Sequence, residues 1–330
     1  MTTRLVLALS VLTLGAASAP AGALAAGGGT KAEPPVSATP VAVELTGLFS
    51  VHEDKLTVPH RQVTVSGTLA RFVPRQKVLV VASVGSHVFK RELLYVADRG
   101  GRGHFQTTLS APLGGHVRVR LFHARNTKML SFERWAAYNV LDNQVPLQPG
   151  ASGRLIQLVQ QQLAALHVFT PQTGVYDYGT ELALDAYHRV LGWGEGRTSL
   201  DPTTLTDLLN GVGAFHVRYP KQGSHAEGDL SDQVLALTNG SQVHWLFPIS
   251  SGKPSTPTIL GNYQVYRKQP GYLPDGMYYS DFFTGGYAIH GYDPAPAYPA
   301  SHGCMRLPIV DAIPAYDWIQ MGDWVDTYYT

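Results

Sequence analysis

The hydrophobic period changes twice along this chain, and each change alters what the segment can pack into. From about Val41 to Asn139 apolar and polar residues alternate, as in Gln62-Val63-Thr64-Val65-Ser66-Gly67-Thr68-Leu69 and Val117-Arg118-Val119-Arg120-Leu121, with further runs at Val78 to Val81 and Phe105 to Leu109. Alternation puts every second side chain on one face of a strand. Gly100-Gly101 and Gly114-Gly115 add turn signals at short intervals, which is the rhythm of an antiparallel sandwich. Residues 41–140 are therefore expected to form an immunoglobulin-like β-sandwich, without a disulfide because the chain has one cysteine. It reads as a spacer or packing partner, with carbohydrate or wall binding as the alternative.

The period then becomes helical. Leu155, Ile156, Val159, Leu163 and Leu166 share one helical face, as do Leu182, Ala183, Ala186, Tyr187 and Val190, with Gly174 and Gly179 between the two sets. Asp201-Pro202 before Thr203 to Leu209 reads as an N-cap followed by proline at the first helical position. Residues 145–215 thus predict a small three-helix module. Strand patterns return in residues 216–330, at Gln233 to Leu237, Gln242 to Phe247 and Tyr263 to Tyr266, and Asn239-Gly240 marks a hairpin. The expected fold class is mainly β and multi-domain.

Met1 to Arg4 gives a short positive start, Leu5 to Ala17 is apolar and small, and Ala23-Leu24-Ala25 offers a small-x-small cleavage site, so residues 1–25 read as a signal peptide. The apolar run falls short of the about 20 residues a membrane span needs; an uncleaved anchor is the alternative. Residues 26–40, rich in glycine, alanine and proline, have little to bury and read as a disordered linker. The mature protein is expected to be secreted, either free outside the cytoplasmic membrane or retained in the wall, with no membrane span after cleavage. A formal net charge of +1 leaves no basic stripe for a nucleic-acid partner. There is no glycine-rich phosphate loop and no metal-ligand repeat, so neither a cofactor nor a metal is expected.

An exported chain with one unpairable thiol carries a reactive group where most such chains pair their cysteines or avoid them. Cys304 lies in the run Ser301-His302-Gly303-Cys304-Met305-Arg306, fourteen positions after His290. Gly285-Gly286-Tyr287-Ala288-Ile289-His290 reads as a strand that delivers a histidine at its end, and the loop from Asp293 to Ala300 must fold back for the two to meet. A neighbouring imidazole raises the reactive thiolate fraction by forming an ion pair, and it can later return the proton to a leaving amine. Backbone N–H groups in a turn containing Gly303 are candidates to hold an oxyanion. His302 stands so close to Cys304 that spacing leaves it as either base or turn-former. Arg306 either holds a substrate carboxylate or pairs with a structural acid.

The His290-Gly291 pair, a loop, and then Ser301-His302-Gly303-Cys304-Met305-Arg306 resemble the signature of the YkuD-like L,D-transpeptidases. The stretch Gly252 to Thr258, leading through Gly261 to Tyr263 and Val265, fits the same family. The resemblance implies a β-rich catalytic domain over residues 216–330, with Cys304 as nucleophile, His290 as general acid/base and the Gly291 carbonyl orienting His290. It also implies an oxyanion hole lined by His302, Gly303 and Cys304. Tyr278 and Tyr279 fall where the family's mobile flap carries an aromatic, and with Ser301 and Arg306 they complete the expected substrate-binding set. Gly153, Ile156, Val159-Gln160, Leu163, Gly174 to Asp177, Thr180, Ala183-Leu184 and Tyr187-His188 resemble the peptidoglycan-binding repeat found beside wall enzymes, with Tyr187-His188 where that family usually has Phe-Gln.

The partners so implied are peptidoglycan stem peptides, as acyl donor and acceptor, and the implied product is a 3-3 cross-link made through a cysteine thioester. The resemblance also implies acylation by carbapenem-type β-lactams. Water as acceptor would make the site an L,D-carboxypeptidase. Three rival readings use the same residues: a catalytic zinc held by His290, His302 and Cys304; a non-catalytic wall-binding protein with a relic motif; and a structural thiol in a small apolar site.

Overall fold

The computed structural model describes residues 41–126, 129–143 and 147–330. The expected signal peptide and linker lie outside the described residues.

Ten strands form the first block: β1 (Val41–Thr46), β2 (Phe49–Val51), β3 (Asp54–Thr57), β4 (Gln62–Leu69), β5 (Lys77–Val84), β6 (His87–Tyr95), β7 (Ala97–Arg99), β8 (Arg102–Ser110), β9 (Gly115–His123) and β10 (Phe132–Val140). They make two sheets, ordered β1-β4-β8-β7 and β2-β3-β10-β9-β5-β6. The alternation in β4 and β9 does what the pattern predicts: Val63, Val65 and Leu69 from one sheet meet Val117, Val119 and Leu121 from the other in a common core, while the residues between them face outward.

Three helices follow: α1 (Arg154–Ala165), α2 (Tyr178–Val190) and α3 (Pro202–Leu209). Asp177 caps α2 by accepting from the Thr180 N–H, at 3.0 Å. Asp201 caps α3 from the Thr204 N–H at 2.8 Å, with Pro202 at the start of the helix. Each carboxylate satisfies a backbone donor that has no partner within the helix. Tyr187 and His188 are fully buried; His188 bridges the Arg197 carbonyl, 2.6 Å, and the Thr204 hydroxyl, 2.9 Å. This dipeptide serves the interior of the module. The helical core is also shared with both neighbours, because it includes Val51, Leu56 and Val58 from the first block and Val234, Ala236 and Leu246 from the third.

The third block contains β11 (Ser224–Asp229), β12 (Val234–Asn239), β13 (Gln242–Pro248), β14 (Gly261–Gln264), β15 (Arg267–Tyr272), β16 (Tyr278–Thr284), β17 (Tyr287–Gly291), β18 (Met305–Leu307), α4 (Ile309–Trp318) and β19 (Trp324–Tyr328). One sheet has the order β13-β12-β11-β19-β14 and the other β15-β16-β17-β18. Ala226, Leu237, Phe247, Ile289, Met305, Leu307 and Val325 fill the core between them. On β11 the alternate residues are polar yet fully buried. Glu227 accepts from the N–H groups of Arg218 and Tyr219, from His225 Nε2 at 3.1 Å and from the Tyr328 hydroxyl at 2.8 Å. Of the aromatics near the carboxyl end, Trp318 and Tyr328 join the packing, whereas Trp324 and Tyr329 stand 38% and 52% exposed and do not close the core. Among the described residues no helix is long and apolar enough to cross a membrane.

Candidate active site

The site grows from one strand pair. β17 and β18 run parallel, with Ile289 opposite Met305, His290 opposite Arg306 and Gly291 opposite Leu307. Strand alternation then divides the pair. Ile289, Met305 and Leu307 point into the core. Ala288, His290 and Arg306 share the opposite face, and Cys304 enters β18 on that side, packed with Leu273 against the cluster of Ala288, Phe282 and Met277. The loop between His290 and Cys304 thus returns the chain to the neighbouring strand, as the sequence requires.

His290 is 2% exposed. Its Nδ1 lies 2.9 Å from the Gly291 carbonyl; a carbonyl only accepts, so Nδ1 carries the proton and Nε2 keeps a lone pair. Burial, reinforced by the nearby Arg306 cation, pushes its pKa down to about 4. Cys304 is half-buried, and burial pushes its thiol up; Sγ is 3.7 Å from the Gly286 carbonyl. The resting pair is therefore a neutral thiol and a neutral imidazole. This corrects the expected ion pair, because an apolar pocket penalises both charged forms.

The Ser301–Cys304 turn is held from within and from behind. The Ser301 hydroxyl donates to the Cys304 carbonyl, 2.6 Å, and accepts from the Gly303 N–H, 2.9 Å. Ser301 is 1% exposed, so it is a turn-former and does not face a substrate. The Gly303 N–H is consumed in the same contact and is not free for an oxyanion, which leaves the His302 and Cys304 N–H groups as candidate donors. Behind the turn runs Gly252 to Thr258: the Ser301 carbonyl accepts from the Lys253 N–H and the Thr256 hydroxyl, both at 3.0 Å. A side chain at Gly252 would strike Thr256 and Thr258.

His302 turns outward, its Nε2 accepting from the Lys253 ammonium at 3.3 Å. It does not join His290 and Cys304 in one ligand set, and among the described residues no three His, Cys, Asp or Glu side chains converge on a common point. Arg306 has no carboxylate partner among the described residues; its guanidinium stacks on Tyr292 at 3.9 Å, and Tyr292 meets the His290 ring edge to face. Tyr292 went unnamed in the sequence reading, although alternation puts it two residues beyond His290 on the same face.

Neither Tyr278 nor Tyr279 belongs to the apolar cluster that packs at the thiol. A register shift between Tyr278 and Asp281 adds a residue to β16, which turns the side chains there. The Tyr279 ring packs edge-on against Tyr316 of α4, and Tyr278 lies against Gly291 on the face that Ala312 of α4 covers. Met277 and Leu273, from the turn between β15 and β16, occupy the thiol side instead.

Asp311, in the first turn of α4, is 4% exposed, and burial alone pushes its carboxyl up to about 7. With the folded value raised above the unfolded one, its contribution is fully present below about pH 4 and is lost as pH rises through about 7. Asp311→Asn should leave Tm nearly unchanged at about pH 3.5, where the carboxyl is protonated in both states, and raise stability at pH 8 by roughly 2–4 kcal/mol. Equal Tm for the two proteins at pH 8 would refute this account.

A thiol and an uncharged imidazole on one sheet face, with a glycine turn behind the thiol and an unpaired arginine beside it, define a thiol–histidine site of the acyl-transfer type. Residues 224–326 match the model of the YkuD family, the L,D-transpeptidase catalytic domain. That match runs from the start of β11 into β19. Among solved structures the chain is similar to the L,D-transpeptidase of Xylanimonas cellulosilytica, with 27% identity, TM-score 0.50, and coverage of 56% of this chain and 97% of that one. An L,D-transpeptidase from Mycobacterium smegmatis gives 13% identity and TM-score 0.29 over 88% of this chain and 100% of that one. The E. faecium catalytic domain acylated by ertapenem gives 25% identity and TM-score 0.28 over 32% of this chain and 98% of that one. No curated protein matches the sequence.

Proposed function

We propose that the protein is a peptidoglycan L,D-transpeptidase that forms 3-3 cross-links through a thioester on Cys304. The observation that carries the reading is the free Nε2 lone pair of a neutral, buried imidazole on the same sheet face as the chain's one thiol. As Sγ attacks the carbonyl of the third residue in a donor tetrapeptide stem, Nε2 takes the thiol proton. The tetrahedral oxyanion is met by the His302 and Cys304 N–H groups. Collapse expels the terminal D-alanine, whose amine receives the proton from His290, and leaves the thioester. An amine on the third residue of a neighbouring stem then attacks, giving its proton to Nε2, and Cys304 leaves as the thiol. Arg306 is suited to a stem carboxylate. Water as acceptor gives carboxypeptidase action at the same site.

In this reading the leader at 1–25 delivers the protein to the extracytoplasmic wall, the 41–140 sandwich and 145–215 helical module precede the catalytic domain, and the helical module contacts glycan. A strained β-lactam carbonyl invites the same attack by Sγ. Intact-mass spectrometry of the mature protein with a carbapenem should show a one-drug adduct that is absent from Cys304→Ala, and tetrapeptide stems should yield D-alanine with cross-linked dimer. D-alanine with only trimmed monomer would make it a carboxypeptidase. A folded protein with a free thiol that gives neither adduct nor product would refute both.

A further inference from the structure

The helical module supplies a residue that reaches the frame of the nucleophile turn. Arg189 on α2 is 3% exposed. Its Nη1 donates to the carbonyls of Gln233, 2.6 Å, and Ile249, 2.9 Å, and its Nη2 pairs with Asp185 one turn back. Asp185 is itself fixed by the Gly196 N–H at 2.6 Å. A surface arginine at this spacing would contribute little; this one is a buried, charged fork spanning two carbonyls of another block.

The Ile249 carbonyl immediately precedes Ser250 and Ser251, which carry the turn, and Gln233 reaches Ser251 through its side chain. Gln233 grips Ser251 twice, accepting from its N–H at 2.9 Å and donating to its hydroxyl at 2.7 Å. The Ser251 carbonyl accepts from the N–H groups of Ala300 and Ser301, both 2.9 Å, and Ser250 exchanges backbone bonds with Arg306 at 2.9 and 3.0 Å. Ser301 in turn closes on Cys304. From the guanidinium to the thiol-bearing turn the path alternates hydrogen bonds with single backbone steps and runs through Gln233, Ile249, Ser250, Ser251 and Ser301, all of them buried.

We propose that Arg189 is a positioning residue for Cys304: by anchoring Gln233 and Ile249 it fixes the Ser250–Ser251 segment, and with it the height of the Ser301–Cys304 turn against His290. The helical module is then part of the catalytic frame whatever else it binds. The proposal deepens the transpeptidase reading and rests on Cys304 being the nucleophile.

Removing the cation alone would leave Asp185 buried without its counter-charge, so the test uses the pair Asp185→Asn/Arg189→Met beside Arg189→Lys, in the full mature chain. Iodoacetamide alkylation of Cys304 across pH 5–10 is read by intact mass, together with carbapenem acylation. The folded pair should acylate at least about tenfold more slowly, because a misplaced reacting group loses rate steeply, and its alkylation pH profile should shift from the wild type's. Arg189→Lys, whose ammonium does not reproduce the planar fork, should fall between. A folded pair with native acylation rate and native alkylation profile would overturn the proposal. Should the pair not fold, a native profile in Arg189→Lys would overturn it equally, and an intermediate one would support it. Alkylation needs no transpeptidase chemistry: wild type that alkylates but does not acylate sinks the functional reading and leaves the positioning test standing.

Discussion

His290→Ala should reduce acylation of Cys304 at pH 7 by roughly 10²–10⁴, the usual contribution of a positioned general base. Both resting groups are neutral, so in the proposed reaction the thiol proton leaves as Sγ attacks, and it goes to Nε2. Without that acceptor the buried thiol must ionise by itself, with a pKa above the ordinary thiol range. The variant's rate should therefore climb with pH well beyond neutrality, while the wild type should keep its rate down to about pH 5 and lose it as His290 protonates near pH 4. Sign and direction agree in stability as well. The folded value lies below the unfolded one, so wild-type stability is present above about pH 6.5 and falls as pH drops towards 4, and the alanine variant should lack that fall. Measuring the acylation rate against pH for both proteins decides the matter; a variant as fast as wild type at pH 7 would remove His290 from the chemistry.

Gly303→Ala should be nearly as damaging, for a different reason. Gly303 has φ of 120°, in the region that side chains rarely tolerate, and an added Cβ would be driven into the ring of Tyr287. Relief requires the turn to move away from β17, pulling apart the Ser301 contacts to Gly303 and Cys304. A displacement of about an ångström at a reacting atom costs on the order of 10² in rate, so acylation should fall at least that far while the rest of the protein stays folded. The readout is carbapenem adduct formation against time, with circular dichroism to establish folding. Native kinetics in a folded Gly303→Ala protein would show that the turn has slack the geometry does not reveal.

Cys304 and His290 were legible because their types are chemically conspicuous and each stands at the end or start of a strand-like run. The residues around them were harder to read, for identifiable reasons. Ser301 resembles a substrate contact in sequence, yet its hydroxyl is spent inside the turn, and no local pattern separates an inward serine from an outward one. Tyr278 and Tyr279 were placed by resemblance to the family's flap, and an extra residue in β16 changes which way side chains point. β11 was missed because its polar face, His225 and Glu227, is covered by a coil segment contributed by Arg218 and Tyr219, so burial there leaves no apolar alternation. The helices, in contrast, were legible from their apolar period and, for α3, from Asp201-Pro202, a local signal that needs no tertiary partner; the equivalent cap at Asp177 was not read.

The order of strands in the catalytic domain carries a consequence for how the protein comes into being. β11, the first strand of that domain, lies between β12 and β19, and β14 has no sheet neighbour but β19. Half of the sheet behind the site therefore waits on a strand about a hundred residues later, Trp324 to Tyr328. Such distant pairings form slowly because the loop must close before any contact rewards it. A nascent chain that has emerged only as far as Cys304 holds its thiol and its histidine in sequence but not in space. Reactivity then arrives as a late event, after the segment beyond the nucleophile has come back to pair with the start.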